Sequence, residues 1–190
     1  MSGIANIRRS SKKSGFDVVI PDKNEKEFIE VALTLGHKEI VFLTSDPKYV
    51  KPQDNRLIVK TGYLVRDISD IQRFRQRFDY LFARAERRFF EQKVDFIIDA
   101  ELSDMKDSFH YKSTSLNQVH AVLAKKNGIN IVLGFNNLLN SPMKTYGRMC
   151  QNSVLINKYG LDRSAFSMAV TPSAMRSREI LDALLKVLSL

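Results

Sequence analysis

One cysteine, Cys150, stands among 190 residues. That excludes an intrachain disulfide framework and any metal centre built on several cysteines. No apolar run approaches the roughly 18 residues of a membrane-spanning helix. The N-terminus is basic and polar with no apolar stretch behind it, so it lacks the pattern of a secretory signal. No strand-like segment is followed by GxGxxG or GxxxxGKS/T, which weighs against a nucleotide-binding fold. The three histidines, His37, His110 and His120, form no HxH or HExxH ligand pair. There is no internal repeat and no linker rich in proline or glycine. These absences leave one soluble, cytoplasmic domain of a size that buries a core without staples.

What is present in excess is positive charge. The chain holds 30 Lys and Arg against 21 Asp and Glu, a formal charge of +9. Such a balance suits an anionic partner, most often nucleic acid. Residues 1–15 contain Arg8, Arg9, Lys12 and Lys13 and no acid. They read as a flexible basic arm or an irregular first strand ahead of a domain at 16–190.

From Phe16 onward, short apolar runs alternate with helical patterns. FDVVI (16–20), EIVFL (39–43), residues 57–60 with 63–65, 94–98, 129–133 and 165–170 read as strands, with 108–111 a further candidate. Helices are expected after Asn24, over 113–127 and 142–159, and near the C-terminus from Pro172 or Ser177. Continuous apolar strands separated by helices indicate parallel strands buried on both faces. A doubly wound sheet and a small α/β barrel both satisfy this pattern.

Between Ser69 and Gln92 the spacing predicts one long helix. Ile71, Phe74, Phe78, Leu81, Phe82, Ala85 and Phe89 fall on a core-facing stripe. Arg73, Arg77, Arg84 and Arg88 form a second stripe beside it. That stripe has two readings: a row of guanidinium forks for phosphates, or a solvated flank whose stems cover the aromatic rings.

Candidate catalytic groups are few. His120, beside Leu116, Val119 and Leu123, reads as a packed, hydrogen-bonded core residue, and His37 as a loop residue. Asp99, Glu101, Asp104 and Asp107 follow a strand end, where a barrel places its active site. They can be read as ligands for a hard cation or as a polar loop. Cys150 reads as a small hydrophobe.

Three stretches in order then resemble the archaeal and eukaryotic ribonuclease P protein component 3 family. They are Phe109-His110-Tyr111-Lys112 with Leu116-Asn117-Gln118-Val119; Gly147-Arg148-Met149-Cys150-Gln151-Asn152 with Lys158-Tyr159-Gly160; and Met175-Arg176-Ser177 before the leucine-rich last helix. Ile131–Phe135 and Leu138-Leu139-Asn140 fit between them, so the likeness spans about residues 94–188. Two positions depart from the family pattern: Ser113 stands where a second basic residue is expected, and Thr171-Pro172-Ser173-Ala174 is a loose version of a Ser/Ala-rich loop.

The resemblance implies a single-domain TIM-like barrel related to the PHP metal-dependent phosphoesterases. The metal-binding histidines are lost, since Phe16–Ile20 has no His-x-His. It implies a subunit of ribonuclease P, which removes the 5′ leader from precursor tRNA. Catalysis and its Mg2+ would belong to the RNA subunit, with no cofactor and no catalytic residue on this chain. Its partners would be that RNA, a small α/β protein subunit, other ribonuclease P proteins and, through the holoenzyme, precursor tRNA. Candidate RNA contacts are Lys112, Arg148, Asn152, Arg176 and Arg178, with Arg73, Arg77 and Arg84 from the arginine stripe. For Arg148 and Arg176 a buried or capping role is the alternative, and Tyr111 can either complete a strand or stack on a base. The competing readings are a metal-dependent phosphoesterase on the same barrel and a general RNA-binding domain.

Overall fold

The computed structural model describes residues 15–102, 106–107 and 112–189. Among them seven strands form one sheet: β1 (Phe16–Val19), β2 (Glu39–Thr44), β3 (Ile58–Val65), β4 (Tyr80–Arg84), β5 (Phe96–Ile98), β6 (Asn130–Gly134) and β7 (Arg163–Phe166). They pair in sequence order, and every pairing is parallel. The two edges meet beyond the end of β7. Val19 bridges Ala169, Met168 N donates to Val18 O at 2.9 Å, and Ile20 N donates to Ala169 O at 2.8 Å. The sheet is therefore a nearly closed α/β barrel of TIM-like form, as expected. The basic arm and the candidate strand at 108–111 lie outside the described residues.

Around the barrel run α1 (Glu25–Thr34), α2 (Ile68–Phe74), α3 (Arg87–Phe90), α4 (Gln118–Asn127), α5 (Phe135–Asn140), α6 (Pro142–Tyr159) and α7 (Arg178–Val187), with a 3-10 turn at Pro172–Ala174. Gly36, Gly128 and Gly160 all take positive φ where helices stop. At α4 the start is fixed by Asn117, whose Oδ1 accepts from His120 N at 2.9 Å. That cap sets the first turn at Gln118, later than the Ser113 start that the pattern suggests.

Strand periodicity divides each side-chain set between two layers. Inside the barrel, Phe16, Phe82, Phe96 and Phe166 pack together. Phe16 stacks on Phe166 at 5.1 Å, and Phe82 on Phe96 at 4.8 Å. Gly62 on β3 leaves room for this cluster, because a Cβ there would lie 2.6 Å from Phe82 Cε2. The alternate residues, such as Leu81, Ala83, Ile97 and Ile131, face the helices.

The long helix at 69–92 is not formed. Its residues divide into α2, a turn, β4 and α3. The reason is that a four-residue step is close to the helical period and is also twice the strand period. Phe74, Phe78 and Phe82 satisfy both patterns. The deciding signal is burial on both sides: Leu81, Phe82 and Ala83 are consecutive and all fully buried, which suits a central parallel strand but not a one-sided helix. Asp67 and Asp70 form a capping box that starts α2.

Smaller differences have local causes. The gap between 57–60 and 63–65 closes, and β3 continues through Thr61 and Gly62. Strand β7 ends at Phe166 rather than Val170, and Met168 just beyond it has φ 50°. Helix α5 has apolar residues at helical spacing only at Phe135, Leu138 and Leu139 and none of its residues is buried, a signal too short to announce it. At the seam, Asp17 Oδ1 accepts from Val18 N at 2.8 Å and Ser167 N at 2.7 Å, standing in for a ladder carbonyl. Burial raises the Asp17 pKa above the ordinary carboxylate value.

Candidate nucleic-acid interface

Because all the strands point one way, whatever follows a strand gathers at the C-terminal end of the barrel. Arg84 ends β4, Asp99 and Glu101 follow β5, and Asn137 follows β6. The connection from β5 to α4 brings Lys112, and the segment after β7 brings Arg176 and Arg178. The chain then turns down through each helix. Arg73, in the last turn of α2, and Arg77, in the turn before β4, thus belong toward the opposite, N-terminal end. Losing the long helix also breaks the arginine stripe. Its members now cover neighbouring rings individually: Arg73 lies 5.1 Å over Phe74, Arg77 5.8 Å over Phe78 and Arg88 4.6 Å over Phe89. All three remain exposed.

The candidates differ in what they offer a ligand. Arg84 is 68% exposed and lies 3.9 Å from Asp99 Oδ2. Lys112 is 48% exposed, with Nζ 3.9 Å from Asp107 Oδ2. Arg176 is half-buried: its Nη1 donates to Met175 O at 2.7 Å and Ser173 O at 3.2 Å, and its guanidinium lies over Phe135. Arg178 pairs with Asp182 on the next turn of α7. Arg148 and Asn152 sit inside the protein, at 2% and 0% exposure. The Arg148 guanidinium is directed inward: Nε donates to Asp107 Oδ1 at 3.0 Å and Nη1 to Glu101 O at 3.2 Å. These contacts of Arg148 are those of its buried alternative, and Asn152 is enclosed beside it on α6.

At the mouth of the barrel, the Asn137 amide joins two carboxylates. Its Nδ2 donates to Asp99 Oδ1 at 3.1 Å and Glu101 Oε1 at 2.9 Å. Asp99 holds a positive φ of 61°, a left-handed conformation that Asp tolerates better than most residues. Glu101 is fully buried, and its Oε2 has no hydrogen-bond partner. Burial pushes its pKa from 4.5 to about 7, and the nearby Asp99 adds to the rise. Burial also raises Asp99. Asp107 moves the other way: the Ser113 amide, then Arg148 and Lys112, hold it below the ordinary value. Among the described residues, no three His, Cys, Asp or Glu side chains gather as a metal site would require. Asp104 and His110 lie outside them.

No protein-family model matches the sequence, and no curated protein matches it. Solved structures do match. One is a chain in a cryo-EM structure of archaeal ribonuclease P with mature tRNA. It superposes with a TM-score of 0.73 at 19% identity, over 91% of this chain and 82% of that one. The two share a fold. A crystal structure of an uncharacterized protein matches more weakly, with a TM-score of 0.44 at 8% identity over 84% of this chain and 65% of that one, and carries no argument.

The remaining histidines are structural. His37 is in a loop, as expected, but buried; its Nε2 lies 2.9 Å from Arg176 O, and since a carbonyl only accepts, that nitrogen donates. His120 Nδ1 likewise lies 2.7 Å from Ser115 O, and the ring stacks on Phe90 at 4.5 Å. The packed reading of His120 stands. Cys150 packs against the core beneath α7, as a small hydrophobe does. Sequence reasoning gave no role to Gln151 or Asn137. Gln151 was within reach, since it shares a helix face with Gly147 and Arg148 at steps of four and three. Asn137 carried no signal.

Proposed function

We propose that the chain is a protein subunit of ribonuclease P that binds and stabilises the RNA subunit while the 5′ leader is removed from precursor tRNA. The observation that carries this reading is the whole-barrel likeness to a chain of archaeal ribonuclease P. It coincides with the family that the motifs at residues 94–188 resemble. The net charge of +9 suits a protein that neutralises packed phosphates. Lys112, Arg84, Arg176 and Arg178, grouped at the C-terminal end, are the residues offered to RNA. Arg73 and Arg77 would serve a separate contact at the other end.

On this reading the chemistry and its Mg2+ belong to the RNA. The protein acts with a small α/β subunit and the other protein components, in the cytoplasm, on precursor tRNA as substrate of the whole particle. No helix among the described residues is long and apolar enough to cross a membrane. Reconstitution tests the proposal: 5′-leader removal by an archaeal ribonuclease P RNA and its other proteins is measured with and without this chain. A gain in rate or a lowered Mg2+ requirement is expected; no effect at any salt concentration refutes it.

The competing reading is a metal-dependent phosphoesterase on the same barrel; against it, the Asn137 amide donates to the Asp99 and Glu101 oxygens that a cation would need. Stoichiometric Zn or Mn in the purified protein, with turnover of simple phosphate esters, would establish that reading instead.

A further inference from the structure

One face of α6 is spent on a single stretch of chain across from it. The Gln151 side-chain amide makes two hydrogen bonds to one residue. Its Oε1 accepts from Lys112 N at 2.8 Å, and its Nε2 donates to Lys112 O at 2.6 Å. A neighbouring strand would supply the same pair of bonds. One turn earlier, Gly147 leaves the helix surface bare, and the Lys112 stem lies on it: a Cβ there would come within 3.3 Å of Lys112 Cε. Between them, buried Arg148 holds Asp107 and the Glu101 carbonyl. Asp107 Oδ1 accepts from Ser113 N at 2.8 Å, and Ser113 Oγ donates to Lys106 O at 2.7 Å. Lys106-Asp107 and Lys112-Ser113 are thereby tied to each other and to α6. The Lys112 side chain is 48% exposed, its ammonium 3.9 Å from Asp107 Oδ2.

We infer that Gln151, with Gly147, is a positioning residue that clamps the Lys112 backbone and so aims its ammonium at an RNA phosphate. The inference rests on the RNA-binding role proposed above. Fixing the backbone and stem removes most of the ordering that a lysine would otherwise undergo on meeting its phosphate. It also accounts for Ser113 where a second basic residue was expected: Ser113 is buried and bonded to Asp107 and Lys106.

The test compares wild type with Gln151→Leu, Lys112→Ala and the double variant. Binding to an archaeal ribonuclease P RNA transcript is measured across salt, and hydrogen exchange at the Lys112 amide is followed in the free protein. Lys112→Ala is expected to weaken binding and lower the salt slope by about one. Gln151→Leu is expected to speed Lys112 exchange and weaken binding about 3- to 10-fold, with the double variant no weaker than Lys112→Ala alone. A general loss of packing would not produce that non-additivity. If Gln151→Leu fails to fold, Gln151→Ala removes both bonds without placing a bulkier apolar group against Lys112, and the same faster exchange and weaker binding are expected. Faster exchange with unchanged affinity, beside a weakened Lys112→Ala, overturns the clamp while leaving the RNA reading intact. No binding by wild type at low salt overturns the RNA reading itself.

Discussion

Glu101→Gln offers a direct reading of the barrel mouth. Glu101 is fully buried, one of its oxygens is held by Asn137, and the other has no partner. A carboxylate in that position is poorly solvated, so the fold favours the protonated acid and the pKa rises from 4.5 to about 7. A native pKa above the unfolded value means the native state holds the proton more tightly. The contribution to stability is then complete below pH 4.5 and is lost as pH rises through 7. At 1.36 kcal/mol per unit, the full swing is about 3 kcal/mol, of which about 2.5 kcal/mol falls between pH 5 and pH 8.

Glutamine keeps the acceptor that Asn137 uses and cannot ionise. It also places an amide N–H2 where Oε2 has no partner, at a cost of about 1–3 kcal/mol that does not vary with pH. The informative quantity is therefore the trend and not the offset. Urea unfolding of both proteins, followed by ellipticity at pH 5, 6, 7 and 8, should show Glu101→Gln gaining on wild type by about 2–3 kcal/mol across the range. Asp17 and the other titrating groups away from the barrel mouth are common to both proteins and cancel to first order; Asp99, which adds to the Glu101 rise, titrates with it as part of the same trend. A difference that stays constant with pH would refute the reasoning, because it would mean that Glu101 titrates as a solvated carboxylate.

Gly62→Ala should destabilise by about 1–3 kcal/mol in the same assay, since the new methyl meets the Phe82 ring inside a packed barrel. Arg148→Ala should cost about 2–3 kcal/mol, less than a fully buried pair because the Asp107 side chain is 18% exposed; a loss of RNA affinity with stability unchanged would instead make Arg148 an RNA contact. Arg84→Ala and Arg77→Ala separate the two ends of the barrel in a filter-binding assay. With the main RNA contact on the C-terminal end, the first should weaken binding and flatten its salt dependence more than the second, which touches only the separate contact. The reverse order would move the interface to the N-terminal end.

How much of this was legible from the sequence depends on the length scale of each signal. Strand and helix periods are local, and where one period applied alone the reading held: FDVVI, EIVFL and the helix from Pro142 to Tyr159 lie where the pattern put them. The segment 69–92 failed because its phenylalanines sit at a spacing common to both periods, and only burial on two faces, a property of the closed sheet, resolves it. The site is less legible still. A basic residue announces charge but not direction. Arg148 and Lys112 are both cations within resembling motifs and both face Asp107, yet Arg148 is buried at 3.0 Å from it and Lys112 is 48% exposed at 3.9 Å. That difference is made by the residues around them. Gln151 holds the lysine's backbone and leaves its side chain half in solvent, whereas the arginine's Nε and Nη1 donate to Asp107 and the Glu101 carbonyl. The motif Gly147–Asn152 therefore marks a place where α6 holds Asp107 and Lys112, and its one cation, Arg148, is buried in doing so.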